Sequence, residues 1–161
     1  MNHYTVRNAV LEDMPKILSI YAYARQFMED TGNPNQWGKT NPPESQLLED
    51  IAQGQLYVIE SDGIHGVFFL GFDADPTYAT IYDGSWLSDE PYGTIHRIAG
   101  DGAGGIVGTA VAFAKEKTSH LRIDTHEDNK VMQHVVEKHG FIRRGIIHLS
   151  NGSPRIAYEM V

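Results

Sequence analysis

The sequence predicts a mixed α/β fold with a mostly antiparallel sheet, and two kinds of local pattern indicate it. Residues 55–60 and 65–73 alternate as strands on either side of Ser61-Asp62-Gly63, which predicts an antiparallel hairpin. Residues 3–10 alternate as an earlier strand. After that strand, apolar residues recur at the spacing of one helix face, at Met14, Ile17, Leu18, Tyr21 and Met28.

Turn signals place the next elements. Residues 31–38 are rich in turn formers and predict a loop. Pro43 and Glu44 then open a short helix that ends before Gly54. A second cluster of turn formers at residues 73–76 ends the predicted hairpin.

A later helix is predicted near the end of the chain. Thr125 and Asp128 form a capping-box pair at its start, and Gly140 provides its stop. The apolar stripe of this helix consists of Met132, Val135, Val136 and His139. We therefore expect one face of the helix to pack against the sheet.

Composition restricts the classes of protein. With 161 residues and 41% hydrophobic content, the chain suits one domain over residues 1–161. It has no cysteine, which excludes a thiol nucleophile. A formal charge of -8 argues against nucleic acid or an anionic membrane as partner and slightly favours cationic substrates. Since no stretch approaches the ~18 apolar residues of a membrane span, we expect a soluble, cytoplasmic protein.

A glycine-rich loop is the most informative feature of the sequence. Residues 94–99 alternate as a strand, residues 100–108 contain five glycines in nine positions, and a helical segment follows. Such a loop lets backbone N–H groups approach a ligand closely, and the helix start adds partial positive charge. A flexible surface turn is the alternative, but the flanking strand and helix favour a phosphate site.

Two nucleotide-binding motifs can be compared with this loop. A P-loop is excluded because no lysine follows its glycines. Gly100, Gly102 and Gly105 satisfy the dinucleotide pattern G-x-G-x-x-G, and Asp124 ends the next apparent strand about 20 residues later. A nucleotide-binding domain therefore stays open as an alternative, although the charged residues His96 and Arg97 are unusual in a buried parallel strand.

Three segments, in order along nearly the whole chain, resemble the GNAT family of N-acetyltransferases. They are Val6 to Ile17, Thr125 to Gln133, and Glu137 to Phe141 with its Gly-Phe pair. The resemblance implies a GNAT-like fold with a mixed, mostly antiparallel sheet. It also implies direct acetyl transfer from acetyl-CoA, as cosubstrate, to a primary amine of a small molecule or peptide. A homodimer is compatible with it.

The resemblance further implies where coenzyme A would lie. The strands before the glycine loop and before the last helix splay apart in the family, and the pantetheine arm lies between them. The backbone of Ile98, Ala99 and Gly100 would then pair with the arm, and Asn129 would contact it. The pyrophosphate would lie at the amides of Gly104, Gly105, Ile106, Val107, Gly108 and Thr109.

Three positions depart from the family pattern. The loop usually reads Arg/Gln-x-x-Gly-x-Gly/Ala, and alignment on Gly108 places Ala103 at its basic position and Ile106 at its middle glycine. Val136 stands where many members have a tyrosine beside the thiolate. These departures leave a coenzyme A-binding pseudoenzyme as a second alternative.

His96 is the candidate catalytic base. An alkyl ammonium must lose a proton before it attacks, and an unperturbed histidine, with a pKa of about 6.5, suits that task. His96 lies on the strand that leads to the loop, where some relatives carry His or Glu. The alternative interpretation is a structural histidine packed beside Ile98 on the same strand face.

The acceptor site has weaker candidates. Asp83 is a candidate to hold the ammonium group, and Trp37 and Trp86 are candidates to wall the pocket. Each also has a structural interpretation. Asp83 would be a turn residue before a glycine, and the two tryptophans would be aromatic side chains packed in the core or against loops. The eight histidines show no metal-binding spacing, so no metal is expected.

Overall fold

The computed structural model describes residues 3–161. Its strands are β1 (Thr5–Asn8), β2 (Leu56–Glu60), β3 (Ile64–Gly71), β4 (Gly93–Gly100), β5 (Leu121–Thr125), β6 (Ile142–His148) and β7 (Pro154–Met160). Its α-helices are α1 (Met14–Asp30), α2 (Glu44–Ala52), α3 (Ile106–Lys115) and α4 (Lys130–Lys138). Within the described residues no helix is long and apolar enough to cross a membrane.

The seven strands form one sheet in the order β1-β2-β3-β4-β5-β7-β6. Neighbouring strands are antiparallel except for β4 and β5, which are parallel. The predicted mixed, mostly antiparallel sheet is therefore confirmed. The nucleotide-binding alternative is wrong, because the dinucleotide fold requires a doubly wound parallel sheet, whereas β4 and β5 are the only parallel neighbours among the described strands.

Helices cover both faces of the sheet. On one face, α1 and α2 pack on alternate strand residues such as Val58 and Val67. On the other face, α3 and α4 pack on the intervening residues, such as Ile59 and Phe68. The predicted hairpin of β2 and β3 is confirmed, and β1 is shorter than the predicted strand. Strand alternation thus produces the two apolar layers.

Strands β4 and β5 separate soon after they pair. Their ladder joins Gly93 to Leu121 and Thr94 to Arg122, and it ends there. The β5-facing edge of β4 beyond these pairs has no ladder partner among the described residues. The splayed strands expected from the resemblance are therefore present.

A β-bulge in β4 lies at this separation. His96 is opposite Phe69 of β3 and Ala99 is opposite Val67, so β4 has one extra residue between them. Arg97 has a φ of 52° at the bulge. Because of the extra residue, Ile98 joins the core on the α3 side instead of sharing the face of His96. The expected packing of His96 beside Ile98 is wrong.

The start of α4 also differs from the prediction. Thr125 ends β5, and the helix cap is Asn129, whose side chain accepts a hydrogen bond from the Met132 amide at 3.0 Å. The Thr125 and Asp128 capping box is therefore wrong. The predicted stop is confirmed, since Gly140 has a φ of 98° and the Phe141 amide bonds back to Val136 O.

Candidate active site

Two cavities meet at the separation of β4 and β5. The glycine-loop cleft, of about 580 Å³, lies between α1, α4 and the start of α3. The His96 cavity, of about 340 Å³, lies on the other side of the junction. Met28, Ile98, Asn129 and Met132 line both. The arrangement provides two binding spaces with a shared wall.

The glycine-loop cleft ends at free backbone amides. Gly105 caps α3 with a φ of 83°, so Ile106, Val107 and Gly108 form the first turn and their N–H groups have no acceptor within the helix. All three residues line the cleft. These amides and the helix dipole suit a phosphate group, so the residues present fit the pyrophosphate of coenzyme A.

Two of the predicted loop residues have other partners. The Thr109 amide donates to Gly105 O at 3.0 Å, and the Thr109 hydroxyl donates to the same oxygen at 2.7 Å. Thr109 is therefore committed to the helix. Gly104 does not line the cleft, and its carbonyl accepts a hydrogen bond from the Tyr4 hydroxyl at 2.8 Å.

Ile106, at the position of the family's middle glycine, is buried against two strand glycines. It is 6% exposed, and its side chain packs where Cβ atoms at Gly66 and Gly100 would lie, 2.8 Å and 3.0 Å away. Glycines on two strands thus make room for the larger residue. Ala103 lines the cleft and supplies no charge, whereas Lys138 at the end of α4 also lines it and is a cation.

The junction itself is built by β4 and Asn129. Beyond Thr94, β4 has no ladder partner on its β5 side among the described residues, although the Arg97 carbonyl accepts a hydrogen bond from the Tyr21 hydroxyl at 2.6 Å. Asn129 is 8% exposed, caps α4, and donates from Nδ2 to Gln36 Oε1 at 3.0 Å. Both of its side-chain functions are therefore ordered by the protein. Val136, where many family members have a tyrosine, is fully buried core.

His96 is held between two carboxylates in its cavity. Its Nε2 lies 2.8 Å from Asp75 Oδ2, and its Nδ1 lies 3.9 Å from Asp124 Oδ2. Asp75 Oδ1 accepts from both the amide and the hydroxyl of Thr77. Asp124 Oδ2 accepts from the Tyr78 hydroxyl at 2.7 Å. A neutral imidazole thus donates from Nε2 to Asp75 and keeps a lone pair on Nδ1.

The ionisation of the surrounding groups supports this assignment. Burial raises the pKa of Asp75, but hydrogen bonds from His96 and Thr77 outweigh it and lower the pKa to about 2. Burial, with the charge of Asp124, raises the pKa of Tyr78 well above its usual value. At neutral pH, Asp75 is therefore an anion and Tyr78 a neutral donor.

Sequence reasoning missed Asp75, because it lies in the turn-rich segment between β3 and β4. That segment is fixed by Glu159 of β7, which is fully buried. Glu159 accepts from the Leu87 amide at 2.7 Å and lies 2.6 Å from His120 Nε2. The buried carboxylate thereby anchors the loop that carries Asp75.

The predicted acceptor residues are dispersed. Trp37 lines the His96 cavity, and its ring centroid lies 5.6 Å from that of Tyr21 in an edge-to-face arrangement. Trp86 lines neither cavity. The centroid of its ring lies 4.0 Å from the guanidinium carbon of Arg122, and its Nε1 donates a hydrogen bond to Tyr78 O. Asp83 is an exposed turn residue with a φ of 57°, also outside both cavities. The structure therefore places Trp86 and Asp83 outside both cavities.

Solved structures provide the comparison with known proteins. A GNAT-family acetyltransferase from Streptococcus agalactiae 2603 is 29% identical, with a TM-score of 0.89 over 98% of this chain and 95% of that chain. The chain has the GNAT acetyltransferase fold. The resemblance predicted from the sequence, to an enzyme of the GNAT N-acetyltransferase family, is thereby confirmed.

More distant structures share the GNAT fold. A ribosomal-protein-alanine N-acetyltransferase from Brucella melitensis is 17% identical, with a TM-score of 0.63 over 98% of this chain and 99% of that chain. The yncA protein from Salmonella typhimurium, solved with acetyl-CoA, is 14% identical, with a TM-score of 0.62 over 99% of this chain and 94% of that chain. No protein-family model matches the chain, and no curated protein matches it by sequence.

Proposed function

We propose that this GNAT protein transfers an acetyl group from acetyl-CoA directly to a primary amine of a small molecule or peptide. The observation that carries the proposal is the junction of the two cavities at the separation of β4 and β5, with His96 ordered in one of them. One cavity suits the cosubstrate and the other the acceptor. Because the two cavities adjoin, the acetyl thioester in one would lie next to the amine in the other.

The residues of the glycine-loop cleft would hold acetyl-CoA, which supplies the acetyl group as a thioester. The amides of Ile106, Val107 and Gly108, in the first turn of α3, would hold the pyrophosphate, and residues 98–100, which have no ladder partner on the β5 side among the described residues, would pair with the pantetheine arm. Asn129 lies where the cleft meets the His96 cavity. This placement retains the predicted loop residues except Gly104 and Thr109.

His96 would deprotonate the acceptor. An alkyl ammonium with a pKa near 10.4 is more than about 99.9% protonated at neutral pH, so an efficient enzyme needs a proton acceptor. The carboxylate of Asp124 is placed to hold the ammonium group, and His96 Nδ1, 3.9 Å from that carboxylate, is placed to take its proton. Asp75 keeps the imidazole in the required tautomer and stabilises the imidazolium that forms.

Thermal unfolding with separate ligands tests the cosubstrate. Acetyl-CoA at 100 times its Kd is expected to raise the free energy of unfolding by about 2.7 kcal/mol. NAD and NADP are expected to have no effect. Stabilisation by NAD, with none by acetyl-CoA, would overturn the proposal. Mass spectrometry of a primary-amine panel then identifies any N-acetyl product.

A further inference from the structure

Arg155, the second residue of β7, is a buried cation without an acidic partner. The residue is 5% exposed. Its Nη1 donates to Ser153 Oγ and to Pro154 O, and its Nη2 donates to Gln36 O at 3.4 Å. All three acceptors are neutral. Among residues 3–161, no carboxylate oxygen lies within 4.0 Å of this guanidinium.

Four of the other six arginines are paired with carboxylates, whereas Arg25 and Arg143, which are more exposed than Arg155, are not. Carboxylates lie within 4.0 Å of Arg7, Arg97, Arg122 and Arg144. Burial lowers the pKa of Arg155, and the charge of Asp124 opposes that effect only in part. Burying a charge without a counterion is costly, so the fold retains Arg155 at an energetic disadvantage. An anionic ligand would remove that disadvantage.

Strand pairing places Arg155 beside the proposed amine site. Asp124 of β5 pairs with Ala157 of β7, so Arg155 is a diagonal neighbour of Asp124 on the same face of the sheet. Diagonal neighbours lie about 7–8 Å apart. Both side chains line the His96 cavity. Arg97 also lines that cavity, but its guanidinium is already bonded to Asp50 at 2.9 Å.

We propose that Arg155 binds a carboxylate of the acceptor, and that the acceptor is therefore a small amino acid. This inference rests on the proposed acetyl transfer, since the amine occupies the Asp124 and His96 end of the cavity. The guanidinium then forms two parallel hydrogen bonds with the carboxylate. A volume of about 340 Å³ is near the lower end of small-ligand sites, at roughly 300–1,000 Å³, and favours a free amino acid over a peptide.

Matched pairs of amines with and without a carboxylate test the inference. The pairs are alanine with ethylamine, leucine with isopentylamine, and phenylalanine with phenethylamine. Steady-state KM is measured by thiol release, and binding is measured by calorimetry in the presence of coenzyme A. The variants are Arg155→Gln and Arg155→Lys, with Arg143→Gln as the control, since Arg143 is exposed on β6 and lies outside the His96 cavity.

The wild-type protein is expected to prefer the carboxylated member of a pair. Arg155→Gln should raise the KM for the carboxylated member at least about tenfold and so abolish the preference. The KM for the amine without a carboxylate and the affinity for acetyl-CoA should stay unchanged. Arg155→Lys should give an intermediate value, and it carries the test if Arg155→Gln does not fold. Equal use of both members by the wild type, or an equal loss for both in the variants, overturns the inference. Failure to bind acetyl-CoA would instead overturn the proposed function.

Discussion

His96 Nε2 lies 2.8 Å from Asp75 Oδ2, although the two residues are separated by an entire loop. The contact sets which imidazole nitrogen is protonated. It therefore leaves Nδ1 as the basic atom, directed toward Asp124. The geometry gives the histidine one partner that orients it and a second carboxylate neighbour, Asp124, to which the proposed function assigns the acceptor ammonium.

Replacing His96 by glutamine should remove the proton acceptor. We expect kcat to fall at least about tenfold while acetyl-CoA affinity stays nearly unchanged, since His96 lies outside the glycine-loop cleft. The wild-type rate should rise with pH through one ionisation, and that step should be absent in the variant. His148→Gln, an exposed substitution outside both cavities, is the control. An unaltered pH profile in His96→Gln would assign His96 a structural role.

Replacing Asp75 by asparagine should affect both catalysis and acid stability. Loss of the anion removes the charge that would stabilise the imidazolium, so kcat should fall. Because the pKa of Asp75 is lowered from 3.8 to about 2 on folding, its contribution to stability, on the order of 2 kcal/mol, is present above pH ~4 and lost as the pH falls toward 2.

Urea unfolding of both proteins at several pH values measures this difference. The free-energy gap between wild type and Asp75→Asn should narrow between pH ~5 and pH ~2. A gap that stays constant over this range would show that the ionised carboxylate of Asp75 does not stabilise the fold.

Restoring a basic residue at Ala103 should strengthen cosubstrate binding. Ala103 lines the glycine-loop cleft and adds no charge, so Ala103→Arg should raise acetyl-CoA affinity about tenfold, or about 1.4 kcal/mol. Ala103→Gln has comparable polarity without the charge and should give a smaller gain. Calorimetric titration of acetyl-CoA at low and high salt distinguishes the two variants. Salt should reduce the gain in affinity of Ala103→Arg, because that gain comes from a charge, and should leave the gain of Ala103→Gln unchanged. Equal affinities in the two variants would place the pyrophosphate elsewhere.

A side chain at Gly108 should disturb two contacts. A Cβ there would lie 2.9 Å from His139 Cε1, and it would also enter the space beside the first-turn amides. Gly108→Val should therefore lower the melting temperature and weaken acetyl-CoA binding about tenfold or more. The double variant with His139→Ala should recover stability without recovering affinity. Recovery of both would assign Gly108 to helix packing alone.

Periodic patterns were sufficient for most of the fold. The spacing of Met14, Ile17 and Tyr21 predicted α1, and all three are buried. The turn at Ser61-Asp62-Gly63 predicted the hairpin. The cap of α4 was wrong because Thr125 fits a local capping box, while pairing with β7 keeps it in a strand. Local signals therefore identified elements but not every boundary.

The site depends on contacts that no local pattern encodes. Because of the β4 bulge, Ile98 lies on the opposite face of the sheet from the one that strand alternation predicts. The bulge can be recognised only from the register of β4 against β3. Asp75 reaches His96 from a loop anchored at Glu159, and Arg155 reaches the same cavity from β7. The glycine loop was predictable because its backbone conformation depends on the residues of one continuous segment.

Amine-dependent release of thiol from acetyl-CoA tests the central claim most directly. The folded wild-type protein, saturated with acetyl-CoA, should release free coenzyme A only when a primary amine is supplied, with one N-acetyl product formed for each thiol. Acetyl-CoA binding without thiol release for any primary amine would contradict the claim and leave a coenzyme A-binding protein without transferase activity.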